Sequence, residues 1–151
     1  GGARNVMSRK SFDIKKVGDG IWRSRLHLEL DGIEVFNFTL REVAPNLKKL
    51  LAATGGSLDG IDYVVFHQAN RLINETLRKM LKLDPAKVPY SIREFGNTSG
   101  ASVPLTMIHA LKDQLRSERN KLLLSAFGVG LSWGSAIVET ENLCIPDILE
   151  V

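Results

Sequence analysis

The chain has 151 residues, 44% hydrophobic and 25% charged, which is long enough for one domain with a real core and ordinary for a soluble globular protein. No apolar run approaches the roughly 20 residues that a membrane-crossing helix needs, and no secretory signal pattern opens the sequence, so no membrane association is expected. The net charge of +3 is uneven: residues 1–25 carry seven Lys/Arg against Asp13 and Asp19, so the remainder sums to −2, and a modest basic segment without interleaved aromatics is a poor nucleic-acid signal.

Residues 1–20 read as a solvated lead-in, disordered in part, followed by one domain over 21–151. Residues 21–41 read as a β-hairpin. Leu26, Leu28 and Leu30 alternate with His27, Glu29 and Asp31, Asp31-Gly32 is a turn signal, and Val35, Phe36, Phe38 and Leu40 restart the apolar run. His27 falls on the wet face and is expected to meet solvent. Residues 42–54 have helical spacing at Val43, Leu47, Leu50 and Leu51. Pro45 is tolerated near a first turn, which puts the start at Arg41 or Glu42, and Gly55-Gly56 ends the helix. Residues 61–66 form the near-continuous apolar run that a strand covered on both faces requires.

Residues 69–83 are again helical, with Ile73, Thr76, Leu77, Met80 and Leu81 available to the core. Arg71, Glu75, Arg78 and Lys82 recur on the opposite face. A solvated face and a docking face are both compatible with that pattern. Pro85 and Pro89 break the chain, and residues 88–92 read as a short strand. Ser102 can cap a helix that tolerates Pro104 in its first turn and runs to about Arg116, with His109 at its surface. Residues 121–127 and 131–139 are strands joined at Gly128-Val129-Gly130. The tail from Asn142 is acidic and expected to be mobile. Alternating strands and helices closed by a hairpin give an α/β layered domain. The single cysteine, Cys144, excludes an internal disulfide and fits a reducing, cytoplasmic compartment.

Two loops stand out. His67 closes the apolar strand at 63–66, and Asn97 lies thirty residues on in the small-residue stretch Gly96-Asn97-Thr98-Ser99-Gly100. Both side chains can present N–H donors. Two donors converging on one carbonyl oxygen would stabilise an enolate or oxyanion. Spacing alone leaves a purely structural histidine equally open.

Val65-Phe66-His67-Gln68-Ala69-Asn70, Gly96-Asn97-Thr98-Ser99, Pro104, and Ala126-Phe127-Gly128-Val129-Gly130 with Ser132-Trp133-Gly134-Ser135-Ala136 together resemble β-ketoacyl-acyl-carrier-protein synthase III, a family with the thiolase-like fold. The motifs fall in register from about residue 21 to residue 139. The resemblance implies half of a thiolase-like fold, a mixed β-sheet packed with α-helices, taken from the C-terminal part of the enzyme. It implies a Cys-His-Asn site for decarboxylative Claisen condensation of an acyl-coenzyme A primer with malonyl-carrier protein in fatty acid biosynthesis. By residue-for-residue carry-over, His67 and Asn97 bind the malonyl thioester oxygen. The Val129 N–H contributes to the oxyanion hole, although the family has glycine there. Asn70, Phe127 and Gly128 line the substrate channel. Arg71, Arg78 and Lys82 become a docking face for an acidic carrier protein.

Coenzyme A and phosphopantetheine thioesters are then substrates, and neither metal nor cofactor is implied. The implied partners are acyl carrier protein, a cysteine-bearing N-terminal half and, at full length, a second copy of the enzyme. The nucleophilic cysteine belongs to that N-terminal half. Cys144 stands in no comparable context, so these residues alone are expected to be inactive. Two other readings stay open: a stand-alone carrier-protein or pantetheine-binding module, and a related condensing enzyme of secondary metabolism.

Overall fold

The computed structural model describes residues 6–27, 31–128 and 130–149. These fall into two units, residues 1–32 and residues 33–151. In the first, the segment read as a lead-in contains a 3-10 turn, Arg9–Phe12, and a strand, β1 (Lys15–Gly18), which pairs antiparallel with β2 (Ile21–Arg23) at the start of the segment read as a hairpin. Gly20, with φ of +70°, makes the turn between them.

The second unit departs from the sequence reading at its start. The segment expected to be the return strand of a hairpin is instead the first two turns of α1, Gly32–Thr54. Leu28 and Leu30 of the expected outgoing strand lie outside the described residues. Phe38, Thr39, Val43, Ala44, Leu47 and Leu51 are buried along α1. That is the 3.6-residue stripe of a helix facing a core. Pro45 sits inside α1 rather than near its start. Gly55, with φ of +65°, ends the helix, and the Gly56 N–H returns to the Leu51 carbonyl.

A three-stranded sheet follows, with β3 (Tyr63–Phe66) parallel to β4 (Asn120–Gly128) and β4 antiparallel to β5 (Ser132–Thr140). Tyr63 pairs with Leu122, and Phe66 with Ser125. Alternate strand residues serve opposite faces. Val64, Phe66, Leu123 and Phe127 pack with α1 and with α2 (Arg71–Met80), through Leu47, Ile73 and Leu77. Val65 and Leu122 pack on the other side with Leu111 and Leu115 of α4 (Ser102–Ser117). The sheet is therefore mixed and covered by helices on both faces, as expected. In α2, Asn74 is buried where Met80 was expected to be; Met80 is 48% exposed.

The strand expected over 88–92 is absent. A 3-10 turn, Pro85–Lys87, leads instead to a one-turn helix, α3 (Ile92–Phe95). Pro89 withholds the N–H that a ladder needs. The tail is not detached. Leu143 N–H bonds the Leu115 carbonyl, Arg116 donates to the Ile145 carbonyl, and Ile145 is buried against α4. Among the described residues no helix is long and apolar enough to cross a membrane.

This layering sets a stability expectation. Leu123 is fully buried in the central strand, so Leu123→Ala should cost about 2–5 kcal/mol through lost burial and an unfilled cavity. Leu72 on α2 is 64% exposed, and Leu72→Ala should fall within about 0.5 kcal/mol of the parent. Urea unfolding followed by circular dichroism measures both; equal losses at the two positions would contradict the core as described.

Candidate active site

The end of β3 is held from several directions. His67 is the first residue past the strand, and its N–H continues the parallel pairing by donating to the Ser125 carbonyl at 2.8 Å. Its carbonyl accepts from Asn74 Nδ2 at 3.2 Å. Its ring stands edge-on to Phe127 of β4, with centroids 5.4 Å apart and an interplanar angle of 79°. Nδ1 lies 2.5 Å from Ser102 Oγ at the start of α4. The backbone and one ring nitrogen are thus engaged, and Nε2 is the ring nitrogen without a partner among the described residues. Partial burial lowers the His67 pKa from its ordinary value, which favours the neutral ring.

Asn97 sits in the exposed loop between α3 and α4, five residues before Ser102. Its Oδ1 accepts the Ser99 N–H at 2.9 Å. With the acceptor end occupied, the Nδ2 hydrogens remain as donors. Gly96, with φ of +66°, closes α3 and turns the chain into this loop, and Ser99 holds a left-handed φ of +53°. Non-glycine residues take that region at a cost and concentrate in loops that meet ligands.

A buried polar ring ties this loop to the His67 strand end. The Gln68 N–H donates to Ser102 Oγ at 3.2 Å, and Gln68 Oε1 accepts the Ser91 N–H at 3.3 Å. Ser91 Oγ lies 2.7 Å from Thr106 Oγ1, which donates to the Ser102 carbonyl at 2.7 Å. Gln68, Ser91, Ser102 and Thr106 are each 0–1% exposed. The segment from Ser91 to Ser102, which carries Asn97, is therefore clamped at both ends onto the two residues that follow β3.

Sequence reasoning assigned Ser102 to helix capping and missed this ring. Ala101 is the cap residue, and the Ser102 hydroxyl turns to His67 instead. The sign of it in the sequence is a Ser/Thr pair at i, i+4, Ser102 and Thr106, which share one side of the helix.

The remaining predicted residues separate. Asn70 caps α2, its Oδ1 accepting the Leu72 N–H at 2.7 Å. Phe127 is buried beside His67, and Gly128 ends β4 opposite Ser132. Val129 lies outside the described residues. Arg71 is exposed, with its guanidinium 5.8 Å from the Tyr90 ring centroid. Lys82 is exposed beyond the end of α2.

Arg78 is only partly exposed and is folded onto its own helix. It bonds Glu75 at 2.9 Å and the Leu83 carbonyl at 3.1 Å. Tyr90 donates to the other Glu75 oxygen at 2.7 Å. The Arg78 hydrogen bond, and after it that from Tyr90, hold Glu75 below the usual carboxylate range. The row of charges read as one free face is thus partly neutralised within the fold. His27 and His109 are exposed, as expected. Among the described residues no group of three His, Cys, Asp or Glu is placed to hold a metal ion.

Residues 51–140 match the family described as 3-oxoacyl-[acyl-carrier-protein (ACP)] synthase III C terminal. The β-ketoacyl-[acyl-carrier-protein] synthase III of Streptococcus gordonii is 39% identical over 114 residues, spanning 74% of this chain and 35% of that protein. Synthase III 1 of Halalkalibacterium halodurans is 37% identical over 109 residues, spanning 72% and 35%. A 2.1 Å crystal structure of a 3-oxoacyl-(acyl-carrier-protein) synthase III superposes with a TM-score of 0.80 at 33% identity, covering 93% of this chain and 41% of that one. The synthase from Burkholderia xenovorans LB400 superposes with a TM-score of 0.75 at 42% identity, covering 78% and 34%. The chain spans about a third of the length of the curated relatives it matches.

Proposed function

The chain belongs to the 3-oxoacyl-[acyl-carrier-protein] synthase III family, within its C-terminal domain, and on that premise we propose that it supplies the enolate-stabilising half of a decarboxylating ketoacyl synthase. The observation that carries the reading is His67, held through Nδ1 and backbone and unengaged at Nε2 among the described residues. Nε2–H of His67 and Nδ2–H of Asn97 donate to the thioester oxygen of malonyl-carrier protein. As the C–C bond to the carboxylate breaks and CO₂ leaves, its electron pair is delocalised onto that oxygen. Two fixed donors stabilise the charge where it develops. The resulting carbanion attacks an acyl group held on a cysteine, forms the new C–C bond, and releases the cysteine thiolate.

That cysteine is not Cys144. It is supplied by a cysteine-bearing portion of the kind that the longer relatives have room for, in an enzyme that is a homodimer. Asn70 and Gly128 border the pantetheine arm, and Phe127 backs the His67 ring. The experiment joins the 151 residues to such a portion. It follows acyl-enzyme formation by mass spectrometry and CO₂ release from malonyl-carrier protein. Acylation with no release of CO₂ would remove the role given to this half.

Carrier-protein docking rests on Arg71 and Lys82, the two exposed cations of the row. Arg78 is left out because Glu75 and the Leu83 carbonyl already engage it. Exposed ion pairs contribute up to about 1 kcal/mol each, so Arg71→Glu with Lys82→Glu should raise KM for malonyl-carrier protein about 3- to 10-fold at low salt. Loading from acyl-coenzyme A should not change. A KM that stays at the parent value in low salt would exclude this face.

A further inference from the structure

We propose that Ser102 is a positioning residue that donates its hydroxyl proton to His67 Nδ1 and thereby fixes the ring as the tautomer with its proton on Nε2. The inference deepens the proposed function and rests on it only for the use made of Nε2.

The donors and acceptors around Ser102 fix the direction of the bond. Ser102 Oγ has one proton and two lone pairs. Its contact with Gln68 is to a backbone N–H, which can only donate, so one lone pair is used there. Its other contact is His67 Nδ1 at 2.5 Å. If Nδ1 carried the proton, both lone pairs would be filled and the hydroxyl proton would be left over. Ser102 is 1% exposed, so solvent does not take that proton. Among the described residues Nδ1 is the one acceptor paired with the hydroxyl. Unpaired buried donors are rare because they lose water and gain nothing. The consistent assignment is O–H to Nδ1, which places the ring proton on Nε2.

The surrounding ring makes Ser102 a fixed donor. Thr106 Oγ1 gives its proton to the Ser102 carbonyl, so toward Ser91 Oγ it accepts. Ser91 N–H is anchored on Gln68 Oε1, and Gln68 Nε2 donates to the Phe66 carbonyl at 2.9 Å. Each proton in the ring then has one direction. Ser102 is also the residue at which the Asn97 loop rejoins regular structure, so the tautomer of one donor and the placement of the other share an anchor.

The test is long-range ¹H–¹⁵N spectroscopy on the 151-residue chain with labelled histidine, His67 being assigned by its loss in His67→Gln. The parent should show one neutral tautomer, protonated at Nε2. Ser102→Thr, which keeps the hydroxyl, should retain it. Ser102→Ala should populate both tautomers. A parent ring protonated at Nδ1 overturns the proposal, as does a folded Ser102→Ala protein with the parent's tautomer. If Ser102→Ala does not fold, the parent and Ser102→Thr spectra decide. In the joined enzyme, Ser102→Ala should lower kcat for decarboxylation about 10- to 100-fold without raising KM, and Ser102→Thr should restore it. The expected tautomer in an enzyme that releases no CO₂ would overturn the proposed function and leave the assignment of Ser102 standing.

Discussion

His67→Ala and Asn97→Ala should each lower decarboxylation of malonyl-carrier protein by about 10²–10³ in the joined enzyme, the loss typical of one oxyanion donor. Acyl-cysteine formation should proceed at the parent rate, because neither residue is assigned to that step. On the proposed reading the two donors serve one oxygen, so their losses should not be independent. The double variant should therefore lose less than the product of the single losses. His67→Ala removes the ring from against Phe127 and leaves Ser102 Oγ with Gln68 as its one partner among the described residues, so a folding control by circular dichroism accompanies it. Asn97 is exposed and makes one local hydrogen bond, which makes it the cleaner variant. If Asn97→Ala slowed acylation and decarboxylation in equal measure, the enolate assignment would be wrong.

The legible parts of the chain were those in which one physical signal acted alone. The run at 63–66 is apolar throughout because β3 is covered on both faces by α1, α2 and α4. Residues 121–127 and 131–139 are two runs closely spaced about a short glycine-containing turn, and they pair as β4 and β5. Signals that competed were misread. Val35, Phe36, Phe38 and Leu40 follow a turn dipeptide, which favours a strand. The helical period appears only when Phe38 and Thr39 are counted with Val43, Leu47 and Leu51. Pro45 reads as a first-turn residue, which sets the helix start too late, at Arg41 or Glu42. Inside α1 it forfeits one hydrogen bond, and the burial of the whole stripe outweighs a loss that reaches about 3 kcal/mol in an exposed helix. The ring of Gln68, Ser91, Ser102 and Thr106 was illegible for another reason. Its members are brought together by the crossover from β3 to β4, and a hydroxyl in sequence carries no sign of which partner it will meet.

The 151 residues alone should form no ketoacyl product, and the position of Cys144 is the reason. Condensation needs an acyl group on a thiolate that the carbanion can reach. Cys144 is the only thiol, and it is exposed. Its neighbours on either side are tied to the far end of α4, Leu143 to Leu115 and Ile145 to Arg116. His67 meets the near end of the same helix at Ser102. Thirteen residues separate Ser102 from Leu115, and at a rise of about 1.5 Å each they place the two ends roughly 20 Å apart. A group carried by Cys144 therefore cannot share a reaction centre with an enolate bound at His67. The donor pair could still polarise a malonyl thioester, so trace CO₂ release is expected, diminished by water around an uncovered site. His67→Ala should abolish even that trace, and Cys144→Ser should leave it unchanged. Mass spectrometry of the chain after incubation with acyl-coenzyme A, run beside assays for CO₂ and ketoacyl product, measures all three quantities. Ketoacyl product that disappears in Cys144→Ser would show that the nucleophile lies within this chain and would overturn the division of the site between two parts.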